Sequence, residues 1–411
     1  MHSRRSRMAV AALTVAAVAM FVRMAAPTRH AVVGVSMAPG LLSGDVVTSR
    51  ALPLLDRRQT PRRFERWLFS APSVTTEGEI TAVKRVMGLA GEVISIEQGD
   101  LLVDGVVVLP SPDILAEMAS PVWEDGLAAR AGEGRPPGWT AADAAWRRNA
   151  DGAWSWSRRT GKDGPQPVPV GPTIDWLTYR HRVRDPRRSP DGTDAFVDSP
   201  IFDDAPFAPE EHRRLLPVQD VGIAAVIRVP RMTTSAARVR CFARVGNAAA
   251  ARTVAVAVAG PTRLAFVAGR LDRHLVGAAW TLPADGRTEA GLRSPLPSAA
   301  ARRWSLAAPW PEASNDVAPY APPVLEFGVA SPPIADAATA ITVERLVVWR
   351  DIRHLPAADG TTRWSVGRGQ VFLLGDFPAA SRDSRQWGPL DTGRLLHRVH
   401  PPENVRAISR P

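Results

Sequence analysis

Lysine is almost missing from this chain. Of 51 basic residues only Lys84 and Lys162 are lysines, and all the others are arginines. Cysteine occurs once, as Cys241, which excludes a disulfide within the chain and leaves its redox compartment open. Eight histidines fall without metal-ligand spacing and no HExxH occurs, so no metal or other cofactor is expected. The formal net charge is +10, yet the arginines form small knots such as Arg57-Arg58, Arg62-Arg63 and Arg187-Arg188. With no long basic tract and no recognition motif, nucleic acid is not an expected partner. A full-length apolar run is also lacking. The uncharged stretch Met8 to Val22 makes about 15 residues, roughly 22 Å of helix against a hydrocarbon core of roughly 30 Å.

Against that background Lys84 stands out. It lies in the apolar run Ile80-Thr81-Ala82-Val83-Lys84-Arg85-Val86-Met87-Gly88. Arginine does not give up its proton at any useful pH, whereas a lysine in apolar surroundings can become a neutral amine and act as a general base. Lys162, in Thr160-Gly161-Lys162-Asp163-Gly164, reads as a solvated turn.

A base needs a group to activate. Upstream stands Gly34-Val35-Ser36-Met37-Ala38-Pro39-Gly40-Leu41-Leu42-Ser43-Gly44-Asp45. Downstream stands Gly375-Asp376-Phe377-Pro378-Ala379-Ala380-Ser381-Arg382-Asp383-Ser384-Arg385. With Lys84-Arg85-Val86-Met87-Gly88-Leu89-Ala90-Gly91-Glu92 between them, the three segments resemble, in order, the three signature boxes of the type I signal peptidases, membrane-bound Ser–Lys proteases. Departures are Gly40 for the usual Thr, Ala90 for Pro and Glu92 for Asp, with Phe377 and Pro378 where Asn and a basic residue are usual. They bear on substrate fit more than on mechanism, because Ser36 and Lys84 are intact.

The resemblance implies Ser36 as nucleophile and Lys84 as general base. It implies that Ser381 orients the lysine amine, and that Asp383 and Arg385 pair to hold their segment against the site. Some family members add a hydroxyl donor two residues before the nucleophile; here that position is Gly34. The implied substrates are preprotein signal peptides with small residues at the first and third positions before the cut, held next to Met37, Ile80 and Val83. Gly34-Val35-Ser36-Met37-Ala38 also comes close to a GxSxG nucleophile elbow. Its last position is Ala, however, Pro39 interrupts the turn, and the βα alternation of a hydrolase fold is absent.

The N-terminus suits a membrane enzyme. Arg4, Arg5 and Arg7 precede the apolar run, Arg23 can snorkel, and Met24-Ala25-Ala26 can extend the span. A single-pass anchor in the inner membrane is expected, with the N-terminus cytoplasmic and the catalytic part outside. A cleavable signal peptide is the competing reading.

The expected fold is mainly β: a signal-peptidase-like mixed β core behind an N-terminal anchor helix, interrupted by an inserted antiparallel β-sandwich of jelly-roll or laminin-G-like kind. The segments are 1–29 for stub and anchor, 30–110 and 356–411 for the catalytic core, 111–217 for a Trp-rich insertion and 218–355 for the sandwich. Asp104-Gly105 marks a hairpin turn between apolar strands. Trp123, Trp139, Trp146, Trp154, Trp156 and Trp176, six of the thirteen tryptophans, read as loops packed on a sheet or as a ligand platform. Strand candidates cover 224–229, 237–245, 253–258, 263–267, 275–282, 324–329 and 341–349. Cys241, in an alternating strand, reads as a small core residue. The bilayer is an expected partner, and the insertion could bind an envelope glycan or a protein, or restrict access to the site. The altered third segment and the long insertion leave open a degraded protease scaffold that serves binding. A self-cleaving repressor, the other Ser–Lys reading, calls for a DNA-binding segment ahead of Ser36, where an apolar run stands instead.

Overall fold

The computed structural model describes residues 28–49, 60–72, 79–125, 136–142, 144–157, 174–185, 196–204, 213–230, 238–246, 251–259, 262–283, 303–310, 321–330 and 340–399. The expected anchor lies outside them except for its last two residues, as do Lys162 and much of the Pro- and Ala-rich stretch 283–323. Among the described residues no helix is long and apolar enough to cross a membrane. The protein is mainly β, and the chain divides into two compact units, residues 1–106 with 354–411, and residues 107–353.

The first unit begins with β1 (Thr28–Ala31) and β2 (Val46–Ser49), an antiparallel pair joined by the Ser36 loop. Next come β3 (Arg66–Pro72) and β4 (Glu79–Gly88), whose register sets Trp67 opposite Lys84 and Leu68 opposite Val83. β5 (Val93–Glu97), β6 (Asp100–Val103) and β7 (Val106–Val107) follow as hairpins. The Asp104-Gly105 turn takes positive φ at both residues, 51° and 78°, the backbone a two-residue hairpin requires. Gln98-Gly99 does the same between β5 and β6, at 55° and 104°.

The second unit opens with a short helix, α1 (Pro112–Met118), started by a proline whose missing N–H costs nothing there. Its early strands are β8 (Ser120–Glu124), β9 (Trp139–Ala141), β10 (Trp146–Arg148), β11 (Trp154–Trp156), β12 (Asp175–Tyr179) and the small hairpin β13 (Arg182–Arg184) with β14 (Phe196–Asp198). Then come β15 (Val221–Val229), β16 (Arg238–Gly246), β17 (Arg252–Ala259), β18 (Thr262–Leu271), β19 (His274–Leu282), β20 (Leu306–Pro309), β21 (Val324–Ala330) and β22 (Ile341–Arg350). One sheet runs β10-β11-β22-β15-β18-β19-β20 with β8 also on β22; the other runs β17-β16-β21-β12-β9. Alternate residues of both sheets, among them Ile223, Ala225, Val239, Cys241, Phe266 and Phe327, meet in one buried cluster. On the far side of the larger sheet Leu115 of α1 packs with Val267, Val276 and Trp349.

The Trp-rich segment is woven into these sheets. Trp139, Trp146, Trp154 and Trp156 are buried in the shared cluster and so form no exposed platform. Of their indole N–H groups, that of Trp146 donates to the Asp175 backbone carbonyl at 3.1 Å, while that of Trp139 has no partner among the described residues. Trp123 and Trp154 donate their indole N–H groups to Asp125 at 2.7 and 2.8 Å, and Trp156 donates to the Asp175 side chain at 2.9 Å.

The chain re-enters the first unit and adds β23 (Arg363–Ser365), β24 (Gln370–Leu374), the one-turn helix α2 (Ser384–Trp387), β25 (Leu390–Asp391) and β26 (Leu395–Val399). These late strands interleave with the early ones. The main sheet is ordered β1-β2-β26-β3-β4-β24-β25, and β23-β5-β6-β7 make a second. β3 serves two cores through its alternation: Trp67, Phe69 and Ala71 pack with Val86 and Leu373, while Leu68 packs with Met37, Leu41 and Val399.

Candidate active site

Ser36 sits in the β1–β2 loop, which apolar and polar anchors hold rigid. Met37 and Leu41 are fully buried against Val32, Val47, Leu68 and Val399. Asp45, the acidic residue of the first segment, accepts the Leu42 N–H at 2.8 Å, and its backbone carbonyl accepts the Val32 N–H at 2.7 Å. The nucleophile candidate is thus on a clamped turn rather than a free loop.

Lys84 projects from β4 and is buried, with 5% exposure. Its Nζ donates to Ser36 Oγ at 2.6 Å. Burial pushes its pKa down to about 8. Asp383 and Asp376 pull the other way, and Arg385 adds to the depression. Desolvation therefore outweighs the nearby carboxylates, and the amine can be neutral near physiological pH.

The downstream segment forms the floor. Phe377 N–H donates to the Ser36 carbonyl at 3.0 Å, which ties the Ser36 peptide to residue 377. Gly375 lies so close that a Cβ there would stand 2.2 Å from Ser381 Oγ and 2.5 Å from the Ser36 carbonyl oxygen. Asp383 is wholly buried and does three jobs. It pairs with Arg385 at 2.8 and 2.9 Å, accepts the Gly375 N–H at 3.1 Å, and caps α2 through the Arg385 N–H. Arg385 also donates to the carbonyls of Pro378, Ser381 and Leu355 at 2.7, 3.1 and 3.2 Å, tying the loop down.

Ser381 lies at the site but makes no hydrogen bond there. Its buried Oγ has no partner among the described residues, so in this structure the Lys84 amine is held by Ser36 and not by Ser381. Of the substrate-contact expectations, Met37 is closed inside the core, Val83 is half-buried against it, and Ile80 is exposed. β24 pairs with β4 only from Arg85 to Gly88, so no described strand lies against that edge of β4 from Glu79 to Lys84.

Two features escape sequence reading. Arg85 grips Asp376 with two hydrogen bonds of 2.8 and 2.7 Å, both side chains buried, while Arg66 approaches the same carboxylate at 3.5 Å. The G-D of the third segment gives the only hint. His354 is buried near Arg385, Asp100, Asp383 and Asp376, and burial, helped by Arg385, lowers its pKa to about 4, so it stays neutral. Nothing in its sequence neighbourhood announces it. The substituted Glu92 has a clear place: it accepts the Leu89 N–H at 2.7 Å and pairs with Arg63 at 2.6 Å, closing the turn after β4.

Residues 5–128 match the family model of signal peptidases, peptidase S26. The match takes in Ser36 and Lys84, ends inside the second unit, and does not reach the third segment. No curated protein matches the chain. Among solved structures, a crystal structure of a beta-1,3-glucanase from Mycobacterium marinum aligns at 15% identity, over 56% of this chain and 98% of that one, with a TM-score of 0.22. So low a score bears on neither fold nor activity.

Proposed function

We propose that the protein is a membrane-bound serine endopeptidase that removes signal peptides from exported preproteins, with Ser36 as nucleophile and Lys84 as general base. The 2.6 Å contact between a buried lysine and the Ser36 hydroxyl, inside the stretch matched by the family, carries this reading. The neutral amine takes the Ser36 Oγ proton as the oxygen attacks the scissile carbonyl. The ammonium then protonates the leaving amine and the acyl-enzyme forms. A water gives its proton to Lys84 and attacks the ester carbonyl, and the proton returns to Ser36 Oγ as the acyl group leaves. The Ser36 backbone N–H is the natural first donor to the oxyanion. Because Gly34 supplies no side-chain donor, the remaining stabilisation falls to backbone groups.

An extended substrate would add a strand along the open edge of β4 beside Ile80 to Val83, which delivers its carbonyl towards Lys84 and Ser36. Asp383 and Arg385 act by holding Gly375 and residue 377 in place. The apolar run near the N-terminus would anchor the chain in the inner membrane with the catalytic unit outside. The second unit, whose two antiparallel sheets share one core, is read as the inserted β-sandwich.

The test is cleavage of a model preprotein by the detergent-solubilised full chain, beside Ser36→Ala and Lys84→Ala. Cleavage by wild type alone is expected. Equal cutting by either variant, or none by a folded wild type across several preproteins, would overturn the proposal.

A further inference from the structure

The strand β16 reads Arg238-Val239-Arg240-Cys241-Phe242-Ala243-Arg244-Val245. Val239, Cys241, Ala243 and Val245 point into the core cluster, so Arg240, Phe242 and Arg244 lie on the outer face of the five-stranded sheet. Neighbouring strands complete that face in register. Phe242 and Trp176 flank Gly328 in one row; Arg244 and Thr178 flank Glu326 in the next. Gly328 is required there. A Cβ would come within 2.8 Å of the Trp176 ring, so its absence lets the indole lie flat on the strand.

Both arginines are stacked and held. The Arg244 guanidinium lies 4.7 Å over the Trp176 ring and pairs with Glu326 at 2.6 Å, while Arg240 lies 5.2 Å over Phe242. Trp176 and Phe242 meet edge to face at 6.3 Å. Thr178 Oγ1 donates to the other Glu326 oxygen at 3.3 Å. Arg244 keeps 40% of its side chain exposed, and Arg240 is exposed with no carboxylate partner among the described residues. A guanidinium already fixed on an aromatic ring loses little freedom when it meets an anion.

We propose that this outer face is a binding site for an acidic polysaccharide, whose carboxylate or phosphate groups bind Arg240 and Arg244 and whose hydroxyls bind Glu326 and Thr178. The arginines stand four residues apart on one strand, roughly 13 Å, so the ligand carries anionic groups repeated along a chain. The face disfavours other polyanions. Phe242 is buried and Trp176 is covered by Arg244, which leaves no bare ring for a nucleobase. Glu326, paired with Arg244 on this face, would repel a dense phosphate surface.

The experiment titrates the full chain in detergent with a galacturonate oligosaccharide, a neutral galactose oligosaccharide of equal length, and vesicles of equal parts phosphatidylglycerol and phosphatidylcholine. Wild type should bind the acidic oligosaccharide saturably and bind the neutral one at least tenfold more weakly. Arg240→Gln, an exposed change that leaves every hydrogen bond named above in place, should lose about tenfold, and Arg240→Gln with Arg244→Gln more. Added salt should weaken the wild type most. Ser36→Ala should bind as wild type does, since the site owes nothing to the dyad. Equal affinity for the neutral sugar, no change in folded Arg240→Gln, binding to vesicles alone, or no binding at all would each overturn the proposal.

Discussion

The protonation state of Lys84 should govern the rate, and the structure gives the size of the effect. Its pKa is about 8 instead of 10.5, because burial penalises the ammonium more than Asp383 and Asp376 favour it. On the proposed mechanism the neutral amine is the working form, so activity should rise with pH and level off above the pKa. At pH 7 about one molecule in ten carries the neutral amine, and at pH 6 about one in a hundred. An unshifted lysine would be neutral in only about one molecule in 300 at pH 8, so burial is worth roughly a hundredfold there. The assay is kcat/KM for preprotein cleavage from pH 6 to 10, with an expected limb of unit slope and a midpoint near 8. The scarcity of lysine allows a direct check. Lys162→Arg leaves Lys84 as the chain's one lysine, whose ε-amine can be titrated by nitrogen-15 labelling. Lys84→Arg should be inactive at every pH. A flat profile, a midpoint above 10, or cleavage by the arginine variant would refute the reasoning.

Other predictions follow from the same site. Lys84→Met should stabilise the fold at pH 7. The unfolded chain binds more protons than the folded one between pH 8 and 10.5, so stability rises with pH across that window, and the gain of about 3 kcal/mol should fade towards pH 10.5 in denaturant titrations. Gly375→Ala should fold yet lose roughly a hundredfold in cleavage, since its Cβ displaces either Ser381 or the Ser36 peptide; near-normal kcat/KM would contradict the packing described. Asp376→Ala should destabilise by about 3–5 kcal/mol, because it leaves the buried Arg85 uncompensated, and urea midpoints would register this.

Much of this was legible before the structure because it is local. Alternation located the long strands of both units, and the Asp104-Gly105 turn fixed its hairpin. Ser36, Lys84 and the Asp383–Arg385 pair lie in one site as motif order implied. What escaped depends on partners far apart in sequence. Arg85 and Asp376 are separated by 291 positions, and no spacing rule connects them. His354 becomes a buried neighbour of Arg385 only when the chain returns from the second unit. Strands of three residues, such as Trp146–Arg148 and Trp154–Trp156, are too short to display a period, so the tryptophans read as loops. Their indole N–H groups find Asp125 and Asp175 instead of solvent. Ser381, read as a support for the lysine, is in place with its hydroxyl unbonded, a detail of angstroms that residue identity does not carry.

The strand order of the main sheet has a consequence for synthesis. The hairpin bearing Ser36 ends with β2, the pair bearing Lys84 is β3–β4, and β26 lies between them in the sheet. Both halves of the dyad are made within the first 84 residues, but the strand that joins them finishes at Val399. At roughly 5–20 residues per second, the nascent chain spends on the order of tens of seconds with Ser36 and Lys84 translated and unjoined. During that time the intervening unit emerges and can fold. On the proposed function, a peptidase built this way stays silent until its last strand is complete, and a product truncated before β26 lacks the strand that joins Ser36 to Lys84.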